Sequence, residues 1–195
     1  MASEPDHPVL AALLARRSVR PRRLSPPGPS PDDLAQIVAA GLRGVDHGNL
    51  RPWRLLLIND REALAEAFAT AHRFTSPDVS ADQIEAARRK AFGGPTVLAL
   101  IAEPVADHPE IPVHEQWIAV GAAVQQMLLA AEALGFAGSI LSGRKTAAAP
   151  LRDAFALTRA EHLIGFLTFG TAAADRPKRA AAPQPEPSAY WSRWP

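Results

Sequence analysis

The sequence predicts a single α+β or α/β domain in which helices pack around a small sheet. Three aliphatic runs have the length and composition of buried strands, and six other segments have the features of helices. The chain has 195 residues, of which 47% are hydrophobic, so it can build one domain with a substantial core but hardly two. We therefore expect one domain over residues 1–195, with extended termini at residues 1–8 and 180–195.

The N-terminal part of the chain is predicted to form two helices joined by an extended connector. The first helix lies in PVLAALLARR, whose apolar residues at positions 9, 10, 13 and 14 recur at helical spacing. The connector is RLSPPGPSPDD, because its prolines preclude regular structure. Ser30 is expected to cap the second helix, since Pro31 suits the first helical position.

Three strands are predicted in WRLLLIND, GGPTVLALIAEP and EHLIGFLTFG, which are short and rich in aliphatic residues. The loop VDHGNLRPW precedes the first of them, and FAGSILSG is predicted to be a short strand or turn. Helices are predicted in DREALAEAFATAHRF, SADQIEAARRKAF and AAAPLRDAFAL. Helices packed around a sheet account for all of these segments.

A long helix is predicted from about Glu115 to Leu134, with Gly135 as its C-cap. Apolar residues lie nearly all the way around this helix, which indicates burial on more than one side. Small residues such as Gly121 and Ala122 would let another helix approach closely. The pattern fits a central core helix of a monomer, and it also fits a helix that is partly buried in a homodimer interface.

Charge and composition exclude several classes of protein. The chain has 21 Lys and Arg residues against 20 Asp and Glu residues, so its formal net charge is only +1. A nucleic-acid-binding protein usually carries a basic excess that neutralises many phosphates. The lack of cysteine excludes disulfides, thiol catalysis and cysteine-based metal sites, and the histidines form no HxH or HExxH pair.

The sequence shows no targeting or membrane-spanning pattern. MASEPDHPVL lacks the basic start and the apolar run of a signal peptide. The longest apolar-rich stretch, Trp117 to Gly138, is interrupted by Gln125, Gln126 and Glu132, so we do not expect it to span a bilayer. We expect a soluble, cytoplasmic protein.

An arginine-rich segment, ARRSVRPRRL at residues 15–24, contains five arginines and one hydroxyl group, that of Ser18. Its ligand could be nucleic acid, an acidic lipid surface or a small phosphorylated molecule. Because the rest of the chain offsets this local charge, a small anion held at one spot is favoured. Guanidinium groups and a hydroxyl are donors that suit a phosphate.

The C-terminal segment TAAADRPKRAAAPQPEPSAYWSRWP is rich in Pro and Ala and should not fold alone. It ends with three large aromatic residues, Tyr190, Trp191 and Trp194. Such residues at the end of an unstructured segment indicate docking, either on a partner subunit or on the domain itself.

Four segments, taken together, resemble the nitroreductase family of FMN-dependent NAD(P)H oxidoreductases, and its short YdjA-like branch in particular. They are RRSVR (16–20), VDHGNLRPWRLLLI (45–58), GAAVQQMLLAAEALGFAGSILSG (121–143) and LIGFLTFGTAAADRPKR (163–179). The resemblance implies a mixed, mainly antiparallel central sheet surrounded by helices. It also implies a homodimer with FMN at the subunit interface, in which the C-terminal tail reaches the partner subunit.

The same resemblance assigns residues to the cofactors. Arg16, Arg17 and Ser18 would contact the FMN phosphate and ribityl chain, and Lys178 or Arg179 would approach that phosphate from the other end of the chain. The remaining residues assigned to FMN are Arg43 and His47, which would reach the FMN held mainly by the other subunit, Asn49 at the polar edge of the flavin ring, and Ile140, Leu141 and Ser142. Those assigned to the nicotinamide of NAD(P)H are Ala130, Ala131, Glu132, Ala133, Leu134 and Gly135.

Some of these assignments have alternatives. His47 could equally be a structural or solvated loop histidine, and the alanine-rich end of the long helix could serve packing alone. Arg20 is a weaker candidate for the phosphate, and Arg22 and Arg23 are expected to be solvated or to face the tail. Pro52 and Trp53 are expected to anchor their loop in the core.

The activity implied by the resemblance is ping-pong transfer of hydride from NAD(P)H through FMN to nitroaromatic, quinone or similar acceptors, with no catalytic side chain and no metal. Two departures from the family pattern lie near the expected cofactor: Arg51 replaces the usual glutamine, and Ile140 and Leu141 replace a tryptophan and an arginine. An FMN-binding carrier or sensor with little turnover is the alternative within the fold. A nucleic-acid or membrane-surface module is disfavoured by the charge balance.

Overall fold

The computed structural model describes residues 7–173 and 185–194. Its helices are α1 (Pro8–Ala15), α2 (Pro31–Gly41), α3 (Arg61–Thr75), α4 (Ala81–Arg88), α5 (Val113–Ala133) and α6 (Ala149–Ala154). Its strands are β1 (Leu24–Ser25), β2 (Trp53–Leu57), β3 (Thr96–Ala102), β4 (Ala137–Leu141) and β5 (His162–Ala172). Short 3-10 turns lie at Pro21–Arg23, His47–Asn49, Arg89–Phe92, Arg144–Ala147 and Pro187–Tyr190.

The five strands form one sheet built around β5, which pairs with β1, β3 and β4. Strand β2 pairs with the other side of β3 and so lies at an edge of the sheet. These four pairings are antiparallel, and helices surround the sheet, so the predicted α+β class is confirmed. The resemblance implied a mixed, mainly antiparallel sheet, and the described residues contain no parallel pair of strands.

The helices cover the two faces of the sheet with separate hydrophobic cores. Helices α2 and α5 pack on one face, where Ile37, Met127 and Phe169 are fully buried. Helices α3 and α6 pack on the other face, with Leu64 and Leu151 in that core. Strand β3 contributes side chains to both cores, which explains why its sequence is an unbroken apolar run.

Helix α2 begins where the sequence predicts. The Ser30 hydroxyl accepts a hydrogen bond from the Asp33 N–H at 3.2 Å, and the Asp33 carboxylate accepts one from the Ser30 N–H at 3.0 Å. This reciprocal capping box satisfies backbone donors that a helix N-terminus otherwise leaves unpaired, and Pro31 takes the first helical position.

Strand β1 was not predicted as a strand, because its two residues belong to the segment expected to be an extended connector. Leu24 and Ser25 pair with Ala172 and Thr171 at the end of β5. A two-residue strand has no periodicity that could reveal it, so only its partner in the sheet defines it.

Two parts of the chain expose large apolar side chains. No residue of α1 is buried, and Val9, Leu10, Leu13 and Leu14 are all exposed. The described C-terminal residues 185–194 expose Tyr190, Trp191 and Trp194, and they include a 3-10 turn at Pro187–Tyr190. Within the described ranges, no helix combines the length and the apolar character needed to cross a membrane.

Candidate functional site

The arginine-rich segment forms a turn that follows the C-terminal end of α1. The Arg17 guanidinium donates hydrogen bonds to the backbone oxygens of Leu14 at 2.6 Å and Arg16 at 2.9 Å, so this side chain caps the helix. Arg16 Nη1 lies 3.5 Å from Ser18 Oγ, which is long for a hydrogen bond. Arg16 and Ser18 therefore form a pair of neighbouring donors with capacity for a ligand, whereas Arg17 already has backbone partners.

Val19 fixes this turn to the sheet. Its side chain is only 4% exposed, and its N–H donates a hydrogen bond of 3.0 Å to the backbone oxygen of Gly138 in β4. The two predicted cofactor segments, Arg16–Ser18 and residues 140–142, are thereby attached to the same strand. Sequence reasoning placed both near a cofactor but gave no sign of this contact.

The turn after β4 is held tightly against β5. Leu141 pairs with Phe166, and the Ser142 hydroxyl donates to the backbone oxygen of Ile164. A Cβ on Gly165 would lie 2.3 Å from the Leu141 backbone oxygen, so only glycine allows this approach. Ile140 packs against the core on the α5 side. Leu141 is 39% exposed, so its apolar side chain is the one that the turn presents to solvent.

The loop before β2 has a constrained backbone. The Asp46 carboxylate accepts hydrogen bonds from the N–H groups of Leu50 at 3.2 Å and Arg51 at 2.7 Å. Gly48, Asn49 and Arg51 have φ values of 71°, 54° and 49°, a left-handed region that is uncommon for a residue such as arginine. Asn49 is exposed, so its amide can reach a ligand, and the conformation of the loop determines its direction.

The same loop is joined to α5 through His47. Its Nδ1 lies 2.7 Å from Glu115 Oε2, and the histidine side chain remains 60% exposed. Glu115 was not singled out from the sequence as a partner, because the two residues are far apart in the chain. His47 thus has a structural contact, and its solvent-exposed surface is still free to meet a ligand or a second chain. Arg43, just beyond α2, is also exposed.

These residues form two groups within one chain. Arg16, Ser18 and the turn after β4 lie beside β4, whereas Asn49 and His47 belong to the loop that leads into β2. In the sheet, β5 and β3 separate β4 from β2. Three strand spacings of about 4.8 Å amount to about 14 Å, and no hydrogen bond or ion pair among the described residues joins the two groups.

The buried carboxylate of Glu161, directly before β5, is held by an ion pair. Glu161 accepts a hydrogen bond from Arg54 Nε at 2.6 Å and another from the Thr158 N–H at 2.9 Å. The Arg54 hydrogen bond, helped by Thr158, lowers the pKa of the Glu161 carboxyl below its ordinary value. This ion pair joins edge strand β2 to the start of β5 and holds that end of the sheet together.

The segment assigned to the nicotinamide forms the end of α5. Ala131 is fully buried, and Ala130 and Leu134 pack against the core, so these three residues stabilise the fold. Gly135 has a φ of 85° and ends the helix as predicted, and the Phe136 N–H closes the end on the Ala131 oxygen at 2.8 Å. Glu132, Ala133 and Gly135 are exposed.

The last two predicted phosphate ligands, Lys178 and Arg179, lie outside the described residues. The chemistry of the remaining donors fits a small phosphate-like anion. A guanidinium and a hydroxyl face each other in Arg16 and Ser18, and residues 13–24 contain no acidic side chain that would compete with the anion.

Comparisons with known proteins show which family the chain resembles. A sequence model described as the Nitroreductase family matches residues 13–171. The Escherichia coli K12 protein named "Putative NAD(P)H nitroreductase YdjA" is 32% identical over 180 residues, covering 91% of this chain and 96% of that protein. A Haemophilus influenzae protein named "Putative NAD(P)H nitroreductase" is 28% identical over 167 residues, which cover 83% of this chain and 87% of that protein.

Solved structures show the same fold. A nitroreductase-like family protein from Bacillus cereus superposes with a TM-score of 0.81 at 18% identity and 99% coverage of both chains. A Desulfovibrio desulfuricans protein described as "a putative nitroreductase in complex with FMN" gives a TM-score of 0.70 at 24% identity, covering 98% of this chain and 99% of that one. Because the family match covers most of the sequence and the fold agrees over nearly all of it, the chain belongs to the nitroreductase family.

Proposed function

We propose that this protein is an FMN-dependent oxidoreductase that transfers hydride from NADH or NADPH to nitroaromatic, quinone or similar acceptors. Family membership and the NAD(P)H nitroreductase names of its relatives support this reaction class. The FMN complex of the Desulfovibrio desulfuricans structure supports the cofactor. The observation that carries the proposal is the attachment of the Arg16–Ser18 turn to β4 through Val19.

Arg16 and Ser18 hold the FMN phosphate. The guanidinium supplies charge-assisted donors in a planar arrangement and the hydroxyl supplies another, a combination that suits phosphate oxygens. The Val19–Gly138 hydrogen bond keeps these donors in place beside β4, so they need little ordering when the anion binds. Arg17 contributes positive charge while its guanidinium caps α1.

The turn at Ile140, Leu141 and Ser142 supports the flavin ring. Its rigid contact with β5 provides a fixed wall, and the exposed Leu141 side chain gives that wall an apolar surface. Asn49 offers an amide for the polar edge of the ring. Arg43 and His47 lie with Asn49 in the group that leads into β2, and in a homodimer they face the flavin held mainly by the other subunit.

The chemistry that bound FMN supplies is hydride transfer between a nicotinamide and an oxidised acceptor. The protein's own residues bind and orient, so the chain needs neither a nucleophile nor a paired acid and base. Donors directed at the polar edge of a reduced flavin would stabilise its negative charge. The exposed Glu132, Ala133 and Gly135 remain the proposed nicotinamide contacts.

The active form is a homodimer. Large apolar side chains on α1, on α5 at Trp117 and Ile118, and on the C-terminal segment are exposed in the single chain. Exposed apolar surface of this extent is typical of an interface. On the exposed face of α5, a Cβ built on Gly121 meets no atom within 4 Å, so a helix of a second copy can approach closely there.

The test compares Arg16→Ala with Arg22→Ala as a matched control, because Arg22 is an exposed arginine of the same segment. Purified wild-type protein should be yellow, with the visible spectrum of FMN, and should oxidise NADH or NADPH when a nitroarene is supplied. Arg16→Ala should lose FMN and remain folded by circular dichroism, whereas Arg22→Ala should keep it. Full flavin content in Arg16→Ala would refute the phosphate assignment, and a yellow protein without turnover would point to the carrier or sensor.

A further inference from the structure

A cavity of about 360 Å³ lies on the α3 face of the sheet, opposite to α2 and α5. Its walls come from helices α3, α4 and α6, strands β3 and β5, the 3-10 turn at Arg89–Phe92 and residues 141–146. Binding sites for small molecules commonly have volumes of roughly 300–1,000 Å³. Of the flavin residues proposed above within the described ranges, only Leu141 and Ser142 line this cavity, so it is separate from the phosphate-binding turn.

The inner wall of the cavity is apolar and partly aromatic. Leu64, Ala71 and Val97 are buried there, and Phe68 meets Phe166 edge to face with ring centroids 5.1 Å apart. Because the rings are nearly perpendicular, such a pair offers the face of one ring and the edge of the other to a molecule beside them. The wall therefore favours an aromatic or otherwise apolar body.

The remaining lining carries polar and positively charged groups. Lys90, Arg144 and Lys145 line the cavity, no acidic side chain does, and none of the three takes part in an ion pair among the described residues. His72 also lines it, and its Nδ1 is buried without a hydrogen-bond partner in the part of the chain that the structure describes.

We propose that this cavity binds a small aromatic molecule that carries one anionic group, such as an aromatic carboxylate. The aromatic part packs against Phe68 and Phe166, and the anionic group meets Lys90 and Lys145. This binding site goes beyond the proposed flavin chemistry, and it shares Leu141 and Ser142 with the turn proposed to support the flavin ring.

The experiment is isothermal titration calorimetry of the full-length protein as purified, with any FMN it holds. The probe is 2-naphthoate, and 2-naphthalenemethanol is its neutral match. We expect one 2-naphthoate per chain, with affinity about tenfold lower in Lys145→Gln and in Lys90→Gln, because each variant loses a charge-assisted contact. The neutral probe should bind these variants and wild type alike.

A second variant, Ala71→Leu, fills the cavity, since Ala71 lines it and is only 1% exposed. It should abolish the binding of both probes, while Arg22→Gln, an exposed arginine outside the cavity, should leave both unchanged. Absence of binding at millimolar 2-naphthoate would overturn the proposal, as would equal affinity in wild type and both lysine variants. Release of FMN by the probe, seen as free-flavin fluorescence, would show instead that the cavity belongs to the flavin site. If Ala71→Leu fails to fold, the lysine variants alone decide the outcome.

Discussion

Val19→Ala tests whether the attachment of the arginine turn to β4 matters for cofactor binding. The substitution removes two buried methyl groups and keeps the backbone hydrogen bond to Gly138. At about 0.8 kcal/mol for each buried carbon, the transfer contribution is about 1.6 kcal/mol. A partly collapsed cavity adds a few tenths, so the free energy of unfolding should fall by about 2 kcal/mol.

The loss of FMN affinity in Val19→Ala should exceed the loss that its lower stability explains. If the turn is less ordered, FMN binding must immobilise the Arg16 side chain again, which costs about 1 kcal/mol, or about a fivefold increase in Kd. The control is Val120→Ala in α5, since Val120 is 4% exposed like Val19 and loses the same two methyl groups. Urea unfolding gives the stability of both variants, and titration of apoprotein with FMN gives their Kd values.

The two variants separate a local effect from a global one. Both should lose similar stability, and only Val19→Ala should bind FMN more weakly. Equal Kd values in the two variants would refute the idea that Val19 positions the phosphate donors. A change in stability below about 0.5 kcal/mol for Val19→Ala would show that the burial of this side chain contributes little.

Two further predictions concern the contact of Gly165 with the turn after β4 and the Arg54–Glu161 ion pair. Gly165→Ala should lower Tm and loosen the turn after β4, because the new methyl group would lie 2.3 Å from the Leu141 backbone oxygen. A melting curve equal to that of the wild type would contradict this. Glu161→Gln should reduce the pH dependence of stability in acid. The Arg54 hydrogen bond lowers the pKa of Glu161, so its contribution is complete above the ordinary glutamate pKa of about 4.3 and is lost as the pH falls through the lower value in the folded state. Urea unfolding between pH 3 and 7 measures this pH dependence. Parallel pH profiles for wild type and variant would refute the contribution of the Arg54–Glu161 ion pair.

Much of the fold was predictable because its signals are local. Ser30 marks the start of α2 through hydrogen bonds with Asp33, three residues further along, and Gly135 marks the end of α5 through its left-handed backbone. The apolar run of β3 identifies a strand buried on both faces. The resemblance to the family, which rested on four short segments in order, is confirmed by the match over residues 13–171.

The candidate site was only partly predictable. The sequence indicated that Arg16 and Ser18 suit a phosphate, because donor chemistry is a property of the residues themselves. It did not indicate that Arg17 caps α1, and it left open whether Ala131, which is fully buried, serves packing or the nicotinamide. Both depend on how the side chains are placed in the folded chain, which composition and spacing do not determine.

The sequence by itself determined the helices, the core strands, the arginine turn and the family, because spacing, caps and donor types act over a few residues. Only the tertiary structure decided which distant segments meet. It paired β1 with β5, attached Val19 to Gly138, joined His47 to Glu115, and left a cavity between α3 and the turn after β4. These contacts join residues far apart in the chain, and they follow from the order of the strands and the packing of the helices rather than from any local pattern.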